Sequence, residues 1–168
     1  VLFSETEAKA HYATGVPVID SQLKFQAAMA YTHQTSFDVM ISDKLNIIVP
    51  EIISAEDLRT LIADLLTNAV IAVKSESKRN ILFHAHIEND VFNIDFYDSG
   101  APFAKEVLEK MGKERITTHA DEGGTGIGYM TTFEILNRCN GTWTVEENLN
   151  LELYRKKVRV SFILDTIH

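Results

Sequence analysis

Between Leu58 and Val73 the apolar side chains recur at helical spacing: Leu58, Leu61, Ile62, Leu65, Leu66, Ala69, Val70 and Val73. This repeat predicts one firm helix from Ser54 to about Lys74. Ser54 with Asp57 three residues on resembles a capping box, with the shorter acid in second place. A helix with a single apolar stripe must bury it against another layer, and the alternating segments around it can supply that layer. Phe37–Ile41 alternates as a strand. Arg79–Ile87 and Val91–Tyr97 are two more, joined by the short loop Glu88-Asn89-Asp90, and Thr142–Glu147 and Lys157–Leu164 close the chain. Asn46–Pro50 reads as a further short β-type run. Helical patterns cover Val18 to about Thr32, a short stretch near 103–111, and a stretch from Gly126 to Asn140-Gly141, where Gly141 suits a left-handed cap. Strands mostly follow one another as hairpins. The expected fold class is α+β: a two-layer α/β sandwich, its mixed and mostly antiparallel sheet covered on one face by helices, without βαβ winding.

With 168 residues, 45% of them hydrophobic, the chain can bury the core of one domain. Thr14-Gly15-Val16-Pro17 marks a boundary, so residues 1–13 read as a linker and 14–168 as the domain. An excess of 24 acidic over 16 basic residues gives a net charge of −8, which argues against non-specific binding to nucleic acid or an anionic membrane. No apolar run reaches the roughly 18 residues of a membrane span. A single cysteine, Cys139, gives neither an internal disulfide nor a multi-cysteine zinc site, and a reducing, cytoplasmic setting is expected. The chain opens on Val1, so it is expected to be a piece of a longer protein.

Three polar groups stand out against this frame. Asp64, Asn68, Ala72 and Ser75 run along the edge of the buried stripe of the long helix, so a carboxylate and an amide either reach solvent there or meet a ligand. Asp98-Ser99-Gly100 follows a strand directly; it is an ordinary turn, or an acceptor beside a glycine that permits close approach. Gly123-Gly124-Thr125-Gly126-Ile127-Gly128 opens the last helix; it is a flexible loop, or an anion site built from backbone N–H groups. The glycine spacing does not match a dinucleotide fingerprint, and without Gly-Lys-Ser/Thr there is no P-loop. His84 and His86, two apart on one side of a strand, could pair on a metal, but no third ligand is evident. Trp143 reads as sheet packing, Cys139 as inert, and Glu146 and Glu147 as a solvated turn.

Order and spacing add information. Asn68 to Asp98 is 30 positions and Asp98 to Gly124 is 26. The set resembles the GHKL ATPase superfamily of type II topoisomerases, mismatch-repair ATPases and sensor histidine kinases. Asp64-Leu65-Leu66-Thr67-Asn68-Ala69 looks like its N box, Asp98-Ser99-Gly100 like its first glycine box, and Gly124-Thr125-Gly126-Ile127-Gly128 like its second. Thr14-Gly15-Val16-Pro17-Val18-Ile19-Asp20, then Leu23 and Lys24, resembles the start of the ATP-binding domain of peptide-quorum-sensing (AgrC-like) kinases, a likeness running from Thr14 to Leu164. Arg115-Ile116-Thr117-Thr118-His119 falls where that family has its ATP lid.

The resemblance implies a Bergerat-type sandwich, with ATP and Mg²⁺ as cofactors and roles for individual residues. Asn68 would hold Mg²⁺ through its side-chain oxygen, Asp98 would accept the adenine amine, Gly100 would let the chain pass the ring, and Ala72 would pack near the purine. Gly123, Gly124, Thr125, Gly126, Ile127 and Gly128 would present N–H groups to phosphate, joined from the lid by Arg115, Thr118 and His119. Asp64 stands where superfamily hydrolases carry a water-activating Glu, and is the candidate catalytic carboxylate. Pro102 replaces a common glycine and Tyr129 a common leucine. Neither His11 nor His33 lies in a long acceptor helix. The expected partners are therefore an acceptor-histidine dimerisation domain elsewhere in a membrane-anchored parent protein and a downstream response regulator. The resemblance implies transfer of the γ-phosphoryl to that histidine; the alternatives are an anti-sigma-type serine kinase and a non-catalytic nucleotide-binding module.

Overall fold

The computed structural model describes residues 12–110 and 127–164. The elements are α1 (Pro17–Thr32), β1 (Ser36–Ile41), a 3₁₀ turn (Leu45–Ile47), α2 (Ala55–Val73), β2 (Asn80–Glu88), β3 (Val91–Asp98), α3 (Lys105–Lys110), α4 (Ile127–Cys139), β4 (Thr142–Glu147) and β5 (Lys156–Ile163). The five strands form one sheet in the order β1-β2-β3-β5-β4. The β2/β3, β3/β5 and β4/β5 pairs are antiparallel and β1/β2 is parallel.

The apolar stripe of α2 dictates the layering. Its eight periodic residues, Leu58 to Val73, are all buried. They lie against the inward set of the sheet, which includes Ile81, Phe83, Ala85, Phe92, Ile94, Phe96, Val158, Val160 and Phe162. Phe83 and Phe96 meet edge to face with centroids 5.5 Å apart, the arrangement ring quadrupoles favour. Proline at the start of α1 costs no hydrogen bond, because the first N–H groups of a helix have no partner within it. Gln26 on α1 is buried and donates to Ala63 O and Thr67 Oγ1 of α2, both at 3.4 Å. Asn89 and Asp90 both adopt positive φ, 52° and 61°, which suits a two-residue loop between β2 and β3.

Four expectations are corrected. Asn46–Pro50 is a 3₁₀ turn and its continuation, with Leu45 and Ile48 buried as plugs and no strand partner among the described residues. One βαβ unit exists: α2 carries the chain from β1 to the parallel β2. The left-handed residue after α4 is Asn140 (φ 56°). Gly141 is needed for space instead, because a Cβ there would sit 2.6 Å from Leu136 Cδ2 and 3.0 Å from Phe162 Cε1. The capping box is half formed: Asp57 N donates to Ser54 Oγ at 3.0 Å, while the Asp57 carboxylate turns to Arg138 of α4, also at 3.0 Å.

Candidate functional site

The edge of α2, the end of β3 and the start of β5 meet at a cavity of about 250 Å³. That is below the usual range for a whole drug-sized ligand (about 300–1,000 Å³) and suits a single ring system. Asn68, Ala72, Asp98, Phe103, Tyr129 and Lys156 line it. Asn68 and Ala72 are four apart on α2, so they share one helix face. Asp98 ends the inward series Phe92, Ile94, Phe96, so alternation alone turns its carboxylate toward the helices.

Asp98 is buried, 4% exposed. Its Oδ1 accepts from Gly100 N at 2.8 Å and lies 3.1 Å from Lys156 Nζ. Among the described residues nothing donates to Oδ2, which remains an available acceptor. Burial pushes this carboxyl above its ordinary value, while the Lys156 ammonium and the Gly100 N–H oppose that rise. Lys156 is 2% exposed; its Nζ also donates to Ala101 O at 2.9 Å and stands 4.7 Å from the centre of the Phe103 ring. Phe103 N donates to Glu147 Oε2. The ring of Tyr129 packs edge-on to Phe103 and to Trp143, and Trp143 in turn packs on Phe133. Burial, and then the nearby Asp98 charge, push the Tyr129 hydroxyl up.

The three residues of Asp98-Ser99-Gly100 divide the work. Ser99 Oγ accepts from Asn80 N at 2.9 Å and donates to Lys78 O at 2.6 Å, tying the turn to the start of β2. Gly100 passes α2 so closely that a Cβ would lie 2.9 Å from Ala72 O and 3.0 Å from Ala72 Cβ. On α2, the buried Nδ2 of Asn68 has no hydrogen-bond partner among the described residues. An amide left unpaired at a cavity wall is costly unless something else occupies the cavity.

The structure thus brings Asn68, Ala72, Asp98 and Gly100 together. Asp64, half-buried one turn earlier on α2, is not among the lining residues. Burial raises its carboxyl, with Arg59 opposing. Ile127 and Gly128 open α4. Arg115, Thr118, His119, Gly123, Gly124, Thr125 and Gly126 lie outside the described residues. Cys139 is half-buried, and burial raises its thiol, in keeping with the inert reading. Lys156 and Phe103 are not among the expected site residues, and the solvated-turn reading of Glu146 and Glu147 is corrected: both end β4, where Glu146 meets Lys157 at 3.5 Å and Glu147 accepts from Phe103 N. Lys156 carries a legible signal: it shares the inward phase of Val158, Val160 and Phe162, so a charge falls at a core position of its strand.

Residues 53–166 match the family model described as histidine kinase-, DNA gyrase B- and HSP90-like ATPase. The chain belongs to this ATPase family. A protein of Halalkalibacterium halodurans named "Probable C4-dicarboxylate sensor kinase" is 33% identical over 104 residues, 61% of this chain and 19% of that protein. The chain therefore matches about a fifth of that relative's length. The fold is that of the catalytic domain of the histidine kinase ThkA: TM-score 0.68 at 16% identity, over 88% of this chain and 90% of that one. The mycobacterial sensor histidine kinase MprB superposes with TM-score 0.63 at 13% identity, over 91% and 97%. Full-length ShkA, solved with AMPPNP, gives 0.66 at 14%, over 97% of this chain and 34% of its own. These solved structures share the fold, and neither they nor the curated relative support the peptide-quorum-sensing subtype read from Thr14–Lys24. In this ATPase domain the cavity lies where α2, β3 and β5 converge, beneath the N-terminal end of α4.

Proposed function

We propose that this domain, residues 14–168, binds Mg-ATP in the α2/β3/β5 cavity and delivers the γ-phosphoryl to a histidine outside the chain. The observation that carries the reading is Asp98. It is a buried carboxylate at the cavity floor, held on one oxygen by Lys156 and Gly100, while among the described residues no group donates to the other. An exocyclic amine donates to such an oxygen. Ala72 presents only a methyl to the cavity, and Gly100 lets the turn that carries Asp98 pass close to α2.

The residues fit the metal as well. Asn68 lines the cavity, its amide oxygen is of the donor type a hard cation takes, and its Nδ2, without a partner among the described residues, could donate to a phosphate oxygen. Bound there, Mg²⁺ would neutralise charge on the phosphates. The glycine-rich segment up to Gly128 would present N–H groups to the same phosphates, and Arg115, Thr118 and His119 would join from the lid. In the transfer, a bond forms from the acceptor imidazole nitrogen to the γ-phosphorus, and the bond to the β,γ-bridging oxygen breaks. The chain's contribution is orientation and charge placement.

A histidine acceptor is favoured over serine by the position of Asp64. A serine hydroxyl needs a base to take its proton, whereas a neutral imidazole is already a nucleophile. Asp64 stands off the cavity lining. We read the acceptor domain and a response regulator as the partners, and a membrane-anchored parent with this domain in the cytoplasm as the setting. Among the described residues no helix is long and apolar enough to cross a membrane. The test is radiolabelled transfer from γ-labelled ATP to an acceptor-helix domain of the parent protein. Label on the acceptor that is stable to base and labile to acid marks phosphohistidine and supports the reading. Tight ATP binding without transfer overturns it in favour of a non-catalytic nucleotide module, and acid-stable label points to a serine kinase.

A further inference from the structure

The sheet face away from the helices holds a second polar cluster, remote from the cavity. β2, β3 and β5 alternate, so the residues between the core positions point outward. Strand register then sets His84 opposite Asp95, and Asp95 opposite Arg159. His86 lies two residues along the same side of β2. The two imidazoles stack with ring centres 4.3 Å apart. His86 Nε2 is 2.8 Å from Asp95 Oδ2, and Ser42 Oγ is 2.9 Å from His84 Nε2. One ligand atom each from His84, His86 and Asp95 falls within 4.8 Å of the others. The third ligand that the His-x-His pair lacked in sequence comes from the neighbouring strand, through register.

We propose that His84, His86 and Asp95 form a binding site for a borderline divalent transition metal, of which Zn²⁺ is the natural occupant. Two imidazoles and one carboxylate are a zinc donor set, with water in the open fourth place. Tetrahedral zinc with ligands at about 2.0–2.1 Å spaces its donor atoms about 3.3 Å apart. Closing from the present spacing takes side-chain adjustment on a rigid sheet, with no strand movement. Zinc would take the lone pair of His86 Nε2 in place of the hydrogen bond to Asp95 Oδ2, with the single proton of the neutral ring carried on Nδ1. Ser42 already orients the His84 ring, as outer partners of metal-bound histidines do.

Arg159 sets the affinity. Its Nε donates to Asp95 Oδ1 at 2.6 Å and its Nη2 to Oδ2 at 2.8 Å, with Nη2 also 3.4 Å from His86 Nε2. The guanidinium therefore competes for Oδ2 and repels a cation. Zinc must push Nη2 aside while Nε stays on Oδ1, which weakens its binding. It also makes an unusual demand: removing a residue that is not a ligand should tighten the site.

The test is calorimetric titration of the nucleotide-free domain with ZnCl₂, beside Co²⁺ absorption. The expected result is one equivalent bound, weakened at least about tenfold in His84→Ala, His86→Ala and Asp95→Asn. Binding should be unchanged in Asn68→Ala and tightened in Arg159→Met. Because Asp95→Asn breaks a buried network and costs stability, ring-proton NMR of the wild type provides a second readout. The signals of His84 and His86 should shift with zinc while that of His33 stays fixed. Zinc binding that persists in His84→Ala/His86→Ala, ring signals that do not respond, or an Arg159→Met variant that binds more weakly would overturn the assignment.

Discussion

Replacing Lys156 with methionine tests the floor of the cavity directly. Lys156 Nζ and Asp98 Oδ1 are 3.1 Å apart with side chains 2% and 5% exposed. Two unit charges at that distance attract by about 5 kcal/mol at an effective dielectric of about 20. Methionine keeps the length of the stem and removes the ammonium, leaving a buried carboxylate with Gly100 N as its remaining partner. Breaking a buried pair from one side costs about 3–5 kcal/mol, a large part of the roughly 5–15 kcal/mol that holds a domain together. With a urea m-value of about 2 kcal/mol per molar, the unfolding midpoint should fall by about 2 M. Asp98→Asn should cost a similar amount by stranding the lysine. The double variant, with neither charge, should cost less than the sum of the singles by at least about 2 kcal/mol. Urea unfolding followed by circular dichroism measures all three. Additive effects, or single losses below about 1 kcal/mol, would show that the two groups are not an ion pair and refute the account of the cavity floor.

Other substitutions probe neighbouring parts. Gly100→Ala places a methyl 2.9 Å from the Ala72 carbonyl oxygen, so it should lower stability by about 1–3 kcal/mol and weaken nucleotide binding, both measurable on one preparation. Ser54→Ala removes the acceptor for Asp57 N and should cost about 1 kcal/mol by thermal unfolding, with nucleotide affinity untouched. Asp64 has a clear pH signature. Burial raises its carboxyl above 3.8, so the folded state holds that proton better than the unfolded chain, and ionising it costs folded stability. The cost grows as pH rises from 3.8 through the folded value and is complete above it. Asp64→Asn should therefore melt higher than wild type at neutral pH, with the gain fading below 3.8; a gain that persists in acid would contradict this.

Much of this was legible in the residues, for identifiable reasons. The period of Leu58–Val73 fixed α2 because all eight positions face one layer. The β2 and β3 strands were legible because Phe83, Ala85, Phe92, Ile94 and Phe96 alternate cleanly with polar neighbours. The parallel pairing of β1 with β2 was not, because strand order is a long-range property and both edges of β1 read alike in sequence. Asn46–Pro50 misled as a strand because Ile47, Ile48 and Val49 make a short apolar window, although only Ile48 of the three is buried. Asn68, Asp98 and Gly100, singled out by the family resemblance, come together beside one cavity, while Lys156 was missed although strand phase pointed it inward. Asp95 was missed as a partner of His84 because register across a hairpin becomes visible only when the turn is placed.

The most direct test of the central claim is an ATP titration of the folded domain, with and without Mg²⁺, beside Asp98→Asn and Asn68→Ala. Circular dichroism should first establish that each variant is folded. The account predicts saturable, micromolar binding by the wild type, lost in Asp98→Asn and no longer strengthened by Mg²⁺ in Asn68→Ala. A folded wild type that binds no ATP, or a folded Asp98→Asn that binds it as well as wild type does, would contradict the assignment of the cavity as the nucleotide site.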